Sequence, residues 1–141
     1  MNISKFTQKS IEAVQNLEKV AYSYGNQEIE QEHLLYSLLK QEDSLILKLI
    51  EKMEINKDYF INTVEKALDE KVKVSGGELR FGQYLNKALV NAEDEAKSMG
   101  DEYVSVEHLF LSLLKYPSPS MTKIWKEFGI TRERFLQALS T

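Results

Sequence analysis

The chain has 141 residues, 43% hydrophobic and 28% charged, the size and balance of one folded domain rather than a disordered or fibrous chain. It has no cysteine, which excludes a disulfide framework, a thiolate metal site and a cysteine nucleophile, and its net charge of −4 argues against nucleic acid as a partner. No apolar run approaches the ~20 residues of a membrane span, and Met1-Asn2-Ile3-Ser4-Lys5 lacks a signal-peptide core, so a cytoplasmic protein with no membrane partner is expected.

Helix formers in helical spacing fill the long stretches between two prolines and six glycines, which predicts an all-α fold. The first helix is predicted over 6–24, with Phe6, Ala13, Val14, Leu17, Val20, Ala21 and Tyr24 in one stripe and Gly25 as its stop. After a connector with Ile29, a short helix carries Leu34, Leu35, Leu38 and Leu39, with Glu30 as N-cap. Asp43 or Ser44 caps a third helix over 45–53, and Asn56 caps a fourth over 57–72. A hinge over 74–78 follows. The plan then recurs: helices over 81–99, 106–116, 121–128 and 132–139, with Gly100 and Gly129 as stops and Ser105 and Thr131 as N-caps.

That recurrence is an internal repeat of 75 residues. Residues 1–66 align without a gap on 76–141 with 18 identities, against about 4 expected from the ~6% identity of unrelated sequences. Glu32-His33-Leu34 meets Glu107-His108-Leu109, and Ser37-Leu38-Leu39-Lys40 meets Ser112-Leu113-Leu114-Lys115. The expected architecture is eight helices in two pseudo-twofold-related four-helix units, 1–75 and 76–141, forming one domain because each unit offers the other the only partner for its apolar stripe. The first unit holds 10 basic and 13 acidic residues and the second 8 and 9, so acidity is biased toward the first.

His33 and His108 lack the H-E-x-x-H spacing of a zinc pair, and each falls at the third helical position, where its ring reaches back to the cap; both are read as structural. The carboxylates occur in runs that read as solvated faces, with no acid–base dyad, so no catalytic residue is expected. Glu32 and Glu107 occupy first turns of helices, where the macrodipole stabilises a carboxylate by 0.3–1 kcal/mol; they are also candidates for gripping a cationic or polar group. On the 81–99 helix, Leu85, Leu89 and Ala92 form a stripe that is either core or the floor of an apolar groove, with Asn91 and Glu95 on the adjacent face. In Leu45-Ile46-Leu47-Lys48-Leu49-Ile50, five of six residues are apolar, and Leu47, opposite Thr122 in the second repeat, is expected to stay exposed.

The paired Glu-His-Leu motifs, each following a glycine and an Ile or Val, resemble the doubled N-terminal repeat of the Clp ATPases along the whole chain. Gly25-Asn26-Gln27-Glu28-Ile29, Gln41-Glu42-Asp43-Ser44 and Gln83-Tyr84-Leu85 are most similar to the ClpB disaggregase branch. The resemblance implies a non-enzymatic domain that recruits exposed hydrophobic segments of unfolded or aggregated polypeptides to a linked AAA+ ATPase ring. It ties Thr7, Asp101 and Glu107 to that role. The family's ATP and magnesium belong to ATPase modules absent here: Gly76-Gly77 is followed by Glu78-Leu79-Arg80, not by a phosphate loop. The isolated domain is expected to be a monomer, and a full-length relative a hexamer. The alternative implied is a ClpC-type domain that docks adaptor proteins, or phosphorylated arginine at Glu32 and Glu107.

Overall fold

A computed structural model describes residues 2–141. Among the described residues the fold is all-α, with a 3₁₀ turn at Ile3–Lys5 and eight α-helices, the first of them bent. That first helix comprises α1 (Gln8–Gln15) and α2 (Leu17–Ser23), interrupted at Asn16, whose φ −82° and ψ −7° remain right-handed. Its counterpart Asn91 sits in an unbroken helix and donates its Nδ2 to the Lys87 carbonyl one turn back, 2.8 Å away. The helix starts at Gln8 rather than Phe6, because the Thr7 hydroxyl accepts from the Ser10 N–H as N-cap. Gly25, at φ 70°, ends it in the left-handed conformation that glycine adopts cheaply.

Next come α3 (Gln31–Leu39), α4 (Leu45–Lys52, capped by Ser44) and α5 (Lys57–Asp69, capped by Asn56). The last stops short of Val72, since residues 72–74 leave the helix to bond the connector: Val74 N–H donates to the Gly25 carbonyl, and Asn26 Nδ2 to the Val72 carbonyl. In the second repeat, α6 (Gln83–Ser98) is the image of α1–α2 displaced by 75 residues. Then follow α7 (Val106–Lys115), α8 (Pro119–Phe128) and α9 (Arg132–Ser140). α8 begins two residues before Met121, with Ser118 as cap and proline at the first helical position, where its missing N–H costs nothing.

The connectors are extended, and each needs backbone partners that its own repeat does not supply. Strand β1 (Glu28–Ile29) pairs in parallel with β2 (Arg80–Phe81), Ile29 opposite Phe81, and Phe6 bridges Val104 in the same sense. Shifting by 75 residues turns Ile29 into Val104 and Phe6 into Phe81, so the start of each repeat pairs with the connector of the other. Helical periodicity carries no trace of this exchange. The two repeats share one core, with Leu17, Leu34 and Phe60 from the first and Leu85, Phe110 and Phe135 from the second, each contributing on the order of 1.5–3 kcal/mol by burial. Phe60 meets Phe128 across the halves edge-on, with centroids 4.9 Å apart. Arg134 closes the far side by donating to the carbonyls of Gly129, Phe128 and Met53, which ties the ends of α4 and α8 together.

Candidate functional site

The two histidines build matching cap networks. His33 Nδ1 accepts the Glu30 N–H at 2.8 Å and its Nε2 meets Asn26 Oδ1 at 2.9 Å. His108 Nδ1 accepts the Ser105 N–H at 2.9 Å and its Nε2 meets Asp101 Oδ2 at 2.8 Å. With Nδ1 accepting, Nε2 carries the proton in both. Ser105 Oγ lies 2.9 Å from His108 Nδ1, so Asp101, His108 and Ser105 stand in line. This is a cap and not a charge relay: the Nδ1 lone pair is already engaged by a backbone N–H, and Ser105 Oγ itself accepts the N–H of His108 in a capping box. Both rings are buried.

Burial, and then the Lys71 ammonium, hold His33 well below its ordinary value, at about 4. The fold therefore contains neutral His33 while the unfolded chain takes up a proton below about 6.5. Stability contributed by this residue is complete above pH 6.5 and is lost as pH falls toward 4, amounting to about 3 kcal/mol. Urea unfolding at pH 7, 5.5 and 4.5 is expected to show that fall, and His33→Gln to flatten it.

The two first-turn glutamates diverge. Glu32 is 1% exposed. Its Oε1 lies 3.2 Å from Lys71 Nζ, which also reaches Glu30 Oε2 at 3.2 Å, and its Oε2 accepts from Ser120 Oγ of the second repeat. The expectation that Glu32 faces a partner is corrected: Oε2 is hydrogen-bonded, Oε1 is sealed against Lys71 in an ion pair without a hydrogen bond, and no surface remains. Glu107 is half-exposed and has no side-chain hydrogen bond or ion pair among the described residues. The position equivalent to Ser120 is Leu45, which offers it no donor. Thr7 flanks the Phe6–Val104 bridge, its N–H donating to the Val104 carbonyl at 2.9 Å, while Asp101 and Glu107 each lie three residues along the chain from Val104. Thr7 is half-buried and Asp101 is exposed. Lys5, Lys97, Asp101, Glu102 and Val104 line a shallow groove of about 230 Å³ beside that bridge.

Packing decides the remaining candidate positions. Leu85 and Leu89 are fully enclosed, as is Ala92, because α6 packs along α7; they are core, not a groove floor. Glu95 is 2% exposed rather than on an open face. It pairs with Arg132 of α9 and stands 4.0 Å from Lys115. The repeat alignment carried that signal, since the counterpart of Glu95 is the core residue Val20. Asn91 is half-exposed and spends its amide within the helix. The open face of α6 instead carries Tyr84 and Val90, which the sequence reading passed over. The exposed apolar residue of α4 is Leu45, while Leu47 packs half-buried against the core.

Among the described residues no three His, Asp or Glu side chains gather as a metal site requires, and no helix is long and apolar enough to cross a membrane.

A family profile described as the Clp repeat (R) N-terminal domain matches residues 5–128. Among curated relatives, the chaperone protein ClpB of Nitratidesulfovibrio vulgaris is 38% identical over 99% of this chain and 17% of its own length. That of Clostridium tetani is 36% identical over the same shares. The chain thus spans about a sixth of the length of the curated relatives it matches. Among solved structures, the Hsp104 N-terminal domain from Candida albicans superposes with a TM-score of 0.81 at 22% identity, over 95% of this chain and 88% of that one. A ClpV N-domain in complex with a VipB peptide gives 0.74 at 20% identity, over 98% and 89%.

Proposed function

The chain belongs to the Clp repeat (R) N-terminal domain family, and on that premise we propose that it is the recruiting domain of a ClpB-type disaggregase. It binds exposed hydrophobic segments of unfolded or aggregated polypeptides and passes them to a linked hexameric AAA+ ring, where ATP and magnesium act. The observation that carries this reading is the likeness to ClpB along 99% of the chain. The reading takes Thr7, Asp101 and Glu107 as the contact residues; Thr7 flanks the Phe6–Val104 bridge, and Glu107 has no side-chain hydrogen bond or ion pair among the described residues. Such a shallow, polar-rimmed surface gives weak affinity per copy, which a ring of copies multiplies.

The adaptor or phosphoarginine reading retains Glu107 alone, because Glu32 is occupied by Lys71 and Ser120. Titrating the domain with a permanently unfolded polypeptide is expected to move the amide resonances of Thr7, Asp101 and Glu107, with a weak, saturable response. Glu107→Lys is expected to leave most of that response intact while abolishing any binding of phosphoarginine. Unchanged spectra at millimolar polypeptide would overturn the recruiting role.

A further inference from the structure

Between the end of α7, α8 and the start of α9, Leu114, Pro117, Thr122, Trp125 and Ile130 line a mostly apolar groove of about 290 Å³, together with Lys126 and Arg132. The volume suits one or two large side chains and falls short of a typical small-molecule site.

The first repeat shows how this groove arose. The counterpart of Thr122 is Leu47, which packs half-buried against the core. Thr122 is shorter, and its Oγ1 turns back to the Ser118 carbonyl, 3.0 Å away, which leaves the space open. The charges diverge in step. Glu42, Glu51 and Glu54 of the first repeat correspond to Pro117, Lys126 and Gly129, so three carboxylates are removed and one cation added around the opening. Four other grooves on the molecule are each lined by both signs of charge. This one is lined by cations only, on a chain whose net charge is −4. Arg132 is engaged by Glu95, whereas Lys126 has no ion pair among the described residues.

We propose that this groove is a second docking site, for an apolar polypeptide segment flanked by carboxylates. Its apolar side chain lies over Trp125 where Leu47 would lie in the first repeat, and its acids meet Lys126 and Arg132. The assignment goes beyond the recruiting surface at Thr7, Asp101 and Glu107 and uses none of those residues.

Trp125 is the only tryptophan, so its fluorescence reports this groove. The probe is a short synthetic peptide of leucine and phenylalanine flanked by glutamates, with a matched peptide bearing lysines instead. The acidic peptide is expected to shift Trp125 emission saturably and to bind at least ~tenfold more tightly than the lysine peptide. Thr122→Leu fills the space with the residue the first repeat uses there, and is expected to weaken binding ~tenfold or more without lowering the melting temperature. Lys126→Glu restores the charge of the first repeat and is expected to weaken it about threefold at low salt.

Equal binding of the two peptides, a Trp125 signal that does not respond, or full affinity in Thr122→Leu each overturns the site. So does a concentration-dependent Trp125 shift without peptide, which would put a second copy of the chain in the groove. If the acidic peptide moves the Thr7, Asp101 and Glu107 resonances and leaves Trp125 unchanged, this inference fails while the recruiting role stands.

Discussion

Replacing Lys71 with alanine is expected to destabilise the domain by about 3–5 kcal/mol at pH 7, the usual result of stripping one partner from a buried ion pair. The Lys71 ammonium lies 3.2 Å from Glu32 Oε1 and 3.2 Å from Glu30 Oε2. Glu30 keeps access to water, but Glu32 is 1% exposed and would retain only the Ser120 hydroxyl. Without the ammonium no other donor among the described residues reaches Glu32 Oε1, so the buried carboxylate is left uncompensated. Urea unfolding at pH 7 measures the cost, and the double variant Lys71→Ala/Glu32→Gln is expected to recover part of the loss, because the uncompensated charge is gone. A loss under about 1 kcal/mol would show that Glu32 is solvated by other means.

The second large effect is expected at Gln31, which is fully buried where the repeats meet. Its Nε2 donates to the Tyr84 carbonyl at 3.0 Å and the Tyr116 carbonyl at 2.8 Å, and its Oε1 accepts the Ser118 N–H at 2.9 Å. One amide thus links α3 to the start of α6, the end of α7 and the cap of α8. Gln31→Ala is expected to cost about 3–4 kcal/mol, combining a stranded buried N–H with the cavity left behind. Gln31→Val, the residue the second repeat carries at this position (Val106), separates the two contributions: it refills part of the volume and restores none of the bonds. Hydrogen exchange at the Ser118 amide is expected to accelerate in both variants. Unchanged protection there would mean that another acceptor takes over.

The helices were legible because their determinants are local. Ser44, Asn56 and Thr131 accept the N–H three residues on, whatever lies around them. The structural role of the histidines was legible for the same reason, since a ring at the third helical position reaches its own cap. The bend at Asn16 was not, because the identical residue at 91 sits in a straight helix. Nor were the β1–β2 pair and the Phe6–Val104 bridge, whose partners lie 52 and 98 residues apart in the chain. At the candidate sites, Glu32 and Glu107 have the same local sequence, and no local rule separates them. Glu95 was placed on an open face although its counterpart is the core residue Val20, and only Arg132 and Lys115 explain how a carboxylate is accommodated there.

By itself, then, the sequence determined an acidic, cysteine-free, all-helical chain built as one 75-residue unit used twice, with its caps, its stops and its family. These follow from composition, period and spacing within a few turns of helix. Only the tertiary structure decided which of two equivalent glutamates is sealed and which is free. It also showed that Leu85 and Leu89 are core, and that the second repeat opens a cationic apolar groove where the first is filled. The physical reason is the same each time: a side chain's burial and pairing are set by groups from the other repeat or from distant helices of its own, and near-identical local sequences meet different ones.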